Sequence, residues 1–242
     1  MRPVEKKKPG DIVEYTTSMN ETVAHTIKTQ YKPYGDAKDP LAANIGAFCS
    51  YCEEPRALAD IHIDHVEPKS KGGALYDWEN FLLACNMCNS CKRDADVDLE
   101  RTHFPHRDNT YMDFIYDESG RVTVNPALPK EEYEKAENLY NLVKMGRDPF
   151  GEEATSNRDF RWRTRFQTWN IAKKYLGKYE AGKSDLDDIL ELVKGYGHWS
   201  IWFTVFKGHD EVRKALIENT PGTCKACFDA ENHYEPIARI DL

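Results

Sequence analysis

Two Cys-x-x-Cys steps, Cys49-Ser50-Tyr51-Cys52 and Cys85-Asn86-Met87-Cys88, constrain this chain more than any other feature. Each step presents two sulfurs at one corner of the backbone, and a zinc ion joining two corners gives a tetrahedral thiolate site. A redox pair needs only one such step. Structural zinc contributes roughly 10 kcal/mol to small metal-folded units, enough to hold a hairpin that cannot bury a core of its own. The chain has seven cysteines, an odd number. Cys91, three residues after Cys88, is either a substitute ligand or, the reading we favour, a spare thiol. Cys224-Lys225-Ala226-Cys227 is a lone pair without a nameable fourth ligand, and reads as structural or free thiols.

Between the two steps, Ile61 and Ile63 alternate with His62 and Asp64, the period of a strand with one apolar and one polar face. The strand runs through Asp64-His65 into Pro68 and Gly72-Gly73, which places an acid and an imidazole at the mouth of a loop. The return, Phe81-Leu82-Leu83-Ala84-Cys85, is an apolar run of strand length. After Cys88, Asn89 and then Lys92 and Arg93 follow at helical spacing.

The remainder reads as mainly helical. Tyr133, Ala136, Leu139, Tyr140 and Val143 recur at steps of three and four, as do Trp162, Phe166, Trp169, Ala172 and Leu176. Leu186, Ile189, Leu190 and Val193 do the same, and then Val212, Ala215 and Leu216. Asp185 and Asp210 suit the starts of the last two helices. On the second of these, the aromatic stripe is expected to face a core or a subunit interface, with Arg161 and Arg165 snorkelling along its edge; a nucleic-acid surface over Arg158–Phe166 is the alternative. Tyr111–Tyr116 and Arg121–Val124 flank a turn and predict a hairpin. A short helix is expected over Met19–Gln30 and a turn over Tyr31–Asp36. Pro126 and Pro129 suggest a boundary. The expected division is an N-terminal arm over 1–40 (a place for a partner to dock), a zinc-bearing domain over 41–126 and a helical domain over 127–242. The fold class is α+β, mainly helical.

The net charge is −8. A protein that grips nucleic acid alone usually shows a basic face, so such contact here would need a local patch or a partner chain. Within residues 65–93, Lys69, Lys71, Lys92 and Arg93 face Glu67, Asp77 and Glu79, a weakly basic balance. No apolar stretch follows the N-terminus, and no run reaches the length of a membrane span. A soluble bacterial cytoplasmic protein is expected, with no membrane contact.

The string Asp64-His65-x-x-Pro68, Gly72-Gly73, Glu79-Asn80-Phe81-Leu82-Leu83 and Cys85-x-x-Cys88-Asn89-x-x-Lys92 resembles the motif of the HNH nucleases in its zinc-stapled form. The resemblance covers about residues 47–93. It implies a ββα-metal core in which a hairpin lies against a helix, with flanking helices. It further implies that Asp64 and Asn89 ligate a hard divalent cation, Mg²⁺ or Mn²⁺. His65 would be the general base that takes a proton from water, and Asn80 would brace the loop and orient His65. His62 is either an accessory ligand or phosphate contact, or a half-exposed strand histidine. Lys92 and Arg93 are expected to meet phosphate, with solvated surface charge as the alternative.

A longer resemblance extends over most of the chain. Met1-Arg2-Pro3-Val4, Tyr31–Asp36, Phe48-Cys49-Ser50-Tyr51-Cys52-Glu53, Trp78–Cys85, and Pro221-Gly222-Thr223 with Cys227-Phe228-Asp229 are similar to the PtuB family, the HNH effectors of the Septu anti-phage systems, related forms of which accompany retrons. It implies a DNA-cutting effector working with a PtuA-like ATPase, and in the retron form with a reverse transcriptase and its RNA–DNA product. RNA such as a transfer RNA is an alternative substrate. A noncatalytic zinc adaptor is the alternative of a different class; it would need the four cysteines but not Asp64, His65, Asn80 and Asn89.

Overall fold

A computed structural model of the chain describes residues 1–16, 19–149, 151 and 158–239. It is mixed α and β, with every sheet among the described residues made of two antiparallel strands. The first pair is β1 (Ile12–Thr16) and β2 (Thr22–Thr26). A helix was expected from Met19. The segment Thr22-Val23-Ala24-His25-Thr26-Ile27 is instead rich in β-branched residues, which are stiff in a helix and fit a pleated surface, and it alternates between exposed and partly buried positions.

Helix α1 (Lys38–Ile45) follows, with Pro40 in its first turn, where no backbone N–H is required of it. Then come β3 (Ile61–His65) and β4 (Phe81–Cys85), paired antiparallel with Asp64 opposite Leu82 and His65 opposite Phe81. All five residues of β4 are buried, which is why it reads as a continuous apolar run rather than an alternating one. Helix α2 (Asn86–Lys92) starts directly after β4: Cys85 is its N-cap, and the Cys85 sulfur accepts the Cys88 N–H at 3.4 Å. One residue thus ends the strand, opens the helix and offers a thiolate.

A one-turn α3 (Thr110–Asp113) leads into the expected hairpin of β5 (Phe114–Tyr116) and β6 (Val122–Val124). The helices α4 (Lys130–Leu142), α5 (Arg161–Glu180), α6 (Leu186–Tyr196), α7 (Trp199–Val205) and α8 (Asp210–Asn219) follow, then a small hairpin of β7 (Phe228–Asp229) and β8 (Glu235–Pro236). Asp185 and Asp188 form a reciprocal capping box at the start of α6. Helix α7 is buried on nearly every side, and Trp199 stacks on Phe203 with ring centroids 4.6 Å apart.

On α5 the arginines do not snorkel as expected, and the aromatic stripe is only partly turned to the core, with Trp169 and Leu176 packed against it. Arg161 and Arg165 are its buried residues, together with Thr168 and Ala172, while Phe166 is exposed and Trp162 and Trp169 are half-buried. The reason is local polar demand. Arg161 forms a two-point ion pair with Asp159 and donates to the carbonyls of Val143 and Lys144 just past α4. Arg165 donates to the carbonyl of Gly120 in the β5–β6 turn. The arginines satisfy buried carbonyls that no apolar side chain could.

Candidate active site and zinc centre

The thiolate cluster is assembled from two places: the turn after α1 supplies Cys49 and Cys52, and the β4–α2 junction supplies Cys85 and Cys88. All four residues are buried, and their sulfurs lie within 4.8 Å of one another. The Cys52 and Cys85 sulfurs are 3.7 Å apart. Sulfurs about 2.3 Å from a central zinc at tetrahedral angles stand about 3.8 Å from each other, so the cluster fits the ion. Cys91 lies outside it, half-buried. The Arg161 guanidinium is 3.4 Å from the Cys88 sulfur. Burial opposes its charge, but Asp159 and the neighbouring Cys88 outweigh that and hold its proton more firmly than usual. A fixed cation thus stands beside a cluster that becomes anionic on binding zinc.

Asp64, on β3, is 3% exposed. Its Oδ2 accepts the Tyr51 hydroxyl at 2.5 Å, and its Oδ1 receives the Lys92 ammonium at 3.2 Å. Burial raises its pKa, and Lys92 and Tyr51 partly offset this. Lys92 also donates to the His65 carbonyl at 2.6 Å. Its side chain is fully buried, so the expected phosphate contact does not stand: the lysine pins α2 to β3 from inside. Arg93 is exposed with φ of +51°, and its Nε donates to the Ser90 carbonyl.

His65 is half-buried, with its ring between Phe81 and Tyr34, each 5.1 Å away by centroid and edge-on. Its Nε2 is 3.0 Å from the Leu75 carbonyl. A carbonyl only accepts, so this contact requires the neutral ring to carry its proton on Nε2 and leaves the Nδ1 lone pair free.

Asn80 clamps the loop between the strands. Its Oδ1 accepts from Glu67 N at 2.8 Å, and its Nδ2 donates to the carbonyls of Glu67 and Ala74 at 3.0 Å each. The clamp closes the loop that ends at Leu75, the carbonyl that fixes His65. The two glycines are needed there. Gly72 has φ of +98°, and a Cβ on Gly73 would sit 1.9 Å from the Glu67 carbonyl oxygen.

Asn89 is half-buried, one helical turn before Lys92 on the same face of α2, and its amide makes no hydrogen bond among the described residues. As a donor set, the Asp64 carboxylate and the Asn89 amide suit a hard cation. Such an ion would share Asp64 with the Lys92 ammonium. His62 is exposed.

Sequence reading missed several participants. Tyr51, between two cysteines of the cluster, carries no signal for its bond to Asp64. The segment before α1 is joined to the site: Tyr31 N donates to the Tyr76 carbonyl and Trp78 N to the Thr29 carbonyl, both at 2.9 Å, which brings Tyr34 against His65.

No curated protein matches the chain. No helix among the described residues is long and apolar enough to cross a membrane. Residues 49–95 match the HNH endonuclease family, a stretch that runs from Cys49 to just past Lys92 and Arg93. The chain therefore carries an HNH endonuclease domain, which supports a phosphodiester-cleaving activity for the protein.

Proposed function

We propose that this chain is a metal-dependent endonuclease that hydrolyses DNA, with His65 as general base. The observation that carries the reading is the His65–Leu75 contact, which leaves Nδ1 as the proton acceptor on a ring braced by Phe81 and by the Asn80 clamp. In the reaction, His65 Nδ1 takes a proton from water as the water oxygen bonds to phosphorus, and the bond from phosphorus to the leaving sugar oxygen breaks. Asp64 and Asn89 would hold Mg²⁺ or Mn²⁺, which when bound stabilises the charge on phosphate and leaving oxygen. Zinc on Cys49, Cys52, Cys85 and Cys88 has no part in the chemistry. It ties the turn after α1 to the β4–α2 junction of what we read as a ββα-metal core.

We read the wider setting as bacterial anti-phage defence in the manner of PtuB, with a PtuA-like ATPase as partner. The net charge of −8 supports the need for such a partner. Buried Lys92 leaves Lys69, Lys71 and Arg93 against Glu67, Asp77 and Glu79 on the surface of residues 65–93. We keep the N-terminal arm over 1–40, the nuclease domain over 41–126 and the helical domain over 127–242 as parts of this reading.

The test is cleavage of plasmid DNA, and of RNA in parallel, by the zinc-loaded protein with Mg²⁺ or Mn²⁺, alone and with the ATPase. Asp64→Asn and Asn89→Ala serve as controls. Metal-dependent cutting that both substitutions abolish is expected. Cutting by both variants at the wild-type rate would reject the assigned ligands, and cutting of RNA alone would reject the substrate.

A further inference from the structure

The segment Lys32–Tyr34 stands beside the proposed base and has no role in the chemistry described so far. Tyr34 is 37% exposed although its ring touches His65 and lies 6.5 Å from Phe81. The ring thus offers a face to solvent directly beside the proposed base. Two exposed lysines flank it. Lys69, on the loop after β3, holds its ammonium 6.0 Å from the Tyr34 ring centre, at the outer limit of a cation–π contact, and Lys32 lies over Tyr76 at 5.1 Å. Asp36 is the nearby exposed acid on the same short turn. The segment is anchored, because Gln30 and Asp77 form a β-bridge and Tyr31 N donates to Tyr76 O. The ring is therefore held at a fixed place relative to His65.

We propose that Tyr34 is a stacking platform for an unpaired nucleobase next to the cut phosphate, with Lys69 and Lys32 contacting the phosphates on either side. This rests on the nuclease reading above and adds the substrate form: a single strand or a locally opened stretch. In a duplex both faces of a base are covered by its neighbours, so only an unpaired or displaced base can lie on a protein ring. The weak Lys69–Tyr34 contact is readily exchanged, the ammonium moving to phosphate as the base takes its place. The platform also supplies affinity that does not depend on net positive charge, and the chain carries −8.

The test uses the full-length, zinc-loaded protein in buffer freed of Mg²⁺ and Mn²⁺ and without chelator, so that binding is read without cutting. The probes are a DNA oligonucleotide carrying 2-aminopurine, single-stranded or in a blunt duplex, and an RNA strand of the same sequence. The single strand is expected to bind more tightly than the duplex, with quenching of the 2-aminopurine. Tyr34→Phe and Tyr34→Trp should keep the quenching. Tyr34→Leu should lose it and weaken binding by about ten-fold or more. Lys32→Gln and Lys69→Gln should each lower the salt dependence of single-strand binding by about one counterion. In cleavage assays with metal, the Tyr34→Leu defect should fall mainly on the half-saturating substrate concentration. A defect confined to the saturated rate, with binding and quenching intact, would make Tyr34 a support for His65 and overturn the proposal, as would a preference for the blunt duplex. Quenching by a protein that cuts nothing with any metal would instead reject the nuclease reading. Wild-type cutting with unchanged binding in Tyr34→Leu would reject the platform alone.

Discussion

At the scale of single residues, buried charge decides most outcomes. Lys92 and Asp64 neutralise each other in a place with almost no solvent, and removing one partner of such a pair costs about 3–5 kcal/mol because the other is left uncompensated. Lys92→Met should lower the denaturation midpoint accordingly, and added Mg²⁺ or Mn²⁺ should restore part of the loss if the ion ligates Asp64. No recovery with metal would count against Asp64 as a ligand. His198, fully buried at the entry to α7 and near Arg165, has its pKa depressed by burial to about 3. It is neutral in the folded protein, whereas the unfolded chain takes up a proton below about 6.5. Stability from this residue is therefore present above 6.5 and lost as pH falls from there toward 3, by about 1.4 kcal/mol per pH unit. Its φ of +54° is tolerated by Asn, so His198→Asn should flatten the fall of stability between pH 7 and 5 in chemical denaturation. An unchanged slope would show that His198 is not its source. The clustering of the four cysteines was legible in the sequence because their spacing is that of a tetrahedral thiolate site. Tyr51 on Asp64 and the buried Lys92 were not, since a lysine four residues from a cysteine has the same spelling on a surface as in a core.

At the scale of elements, the β3–β4–α2 unit was readable because alternation, an apolar run and a Cys-x-x-Cys corner follow one another without interruption. The loop between its strands is the sensitive part. Gly73→Ala would press a Cβ into the Glu67 carbonyl, open the Asn80 clamp and free the Leu75 carbonyl that fixes His65. Cleavage should fall by at least ten-fold while zinc content stays at one ion per chain, and wild-type turnover in this variant would show that the clamp is dispensable. The two elements misread have physical explanations. The β1–β2 hairpin was hidden because helical steps can be found in almost any mixed segment, whereas its β-branched residues favour a strand. The arginines of α5 were misplaced because hydrophobicity predicts only which face is apolar. It does not predict that carbonyls at Gly120, Val143 and Lys144 need guanidinium donors.

At the scale of the molecule, the residues following Cys52 tie the zinc knuckle to distant segments. Glu53 accepts the Ser200 N–H at 3.0 Å and its hydroxyl at 2.6 Å at the start of α7, and also accepts the Arg2 N–H. Glu54 accepts the Thr164 hydroxyl on α5 at 2.6 Å, and Arg161 of the same helix meets Cys88. Zinc loss should therefore be felt far beyond the hairpin. With the ion removed by a strong chelator, thermal unfolding should move to a lower temperature across the helical signal as a whole, in line with the roughly 10 kcal/mol that structural zinc contributes in small modules. A chelated protein with an unchanged melting curve would contradict the structural role of the cluster. Such long-range ties cannot be read from spacing, because they join residues from 51 to 147 positions apart.

The central claim is that a zinc-held hairpin presents His65 as the base of a nuclease. It is tested most directly by the single-turnover cleavage rate of His65→Ala against wild type, at equal zinc content and saturating Mg²⁺. The account predicts a loss of about 10²–10⁴-fold, the usual contribution of a positioned base, with partial recovery on adding free imidazole. A variant that cuts within a few-fold of wild type would contradict it.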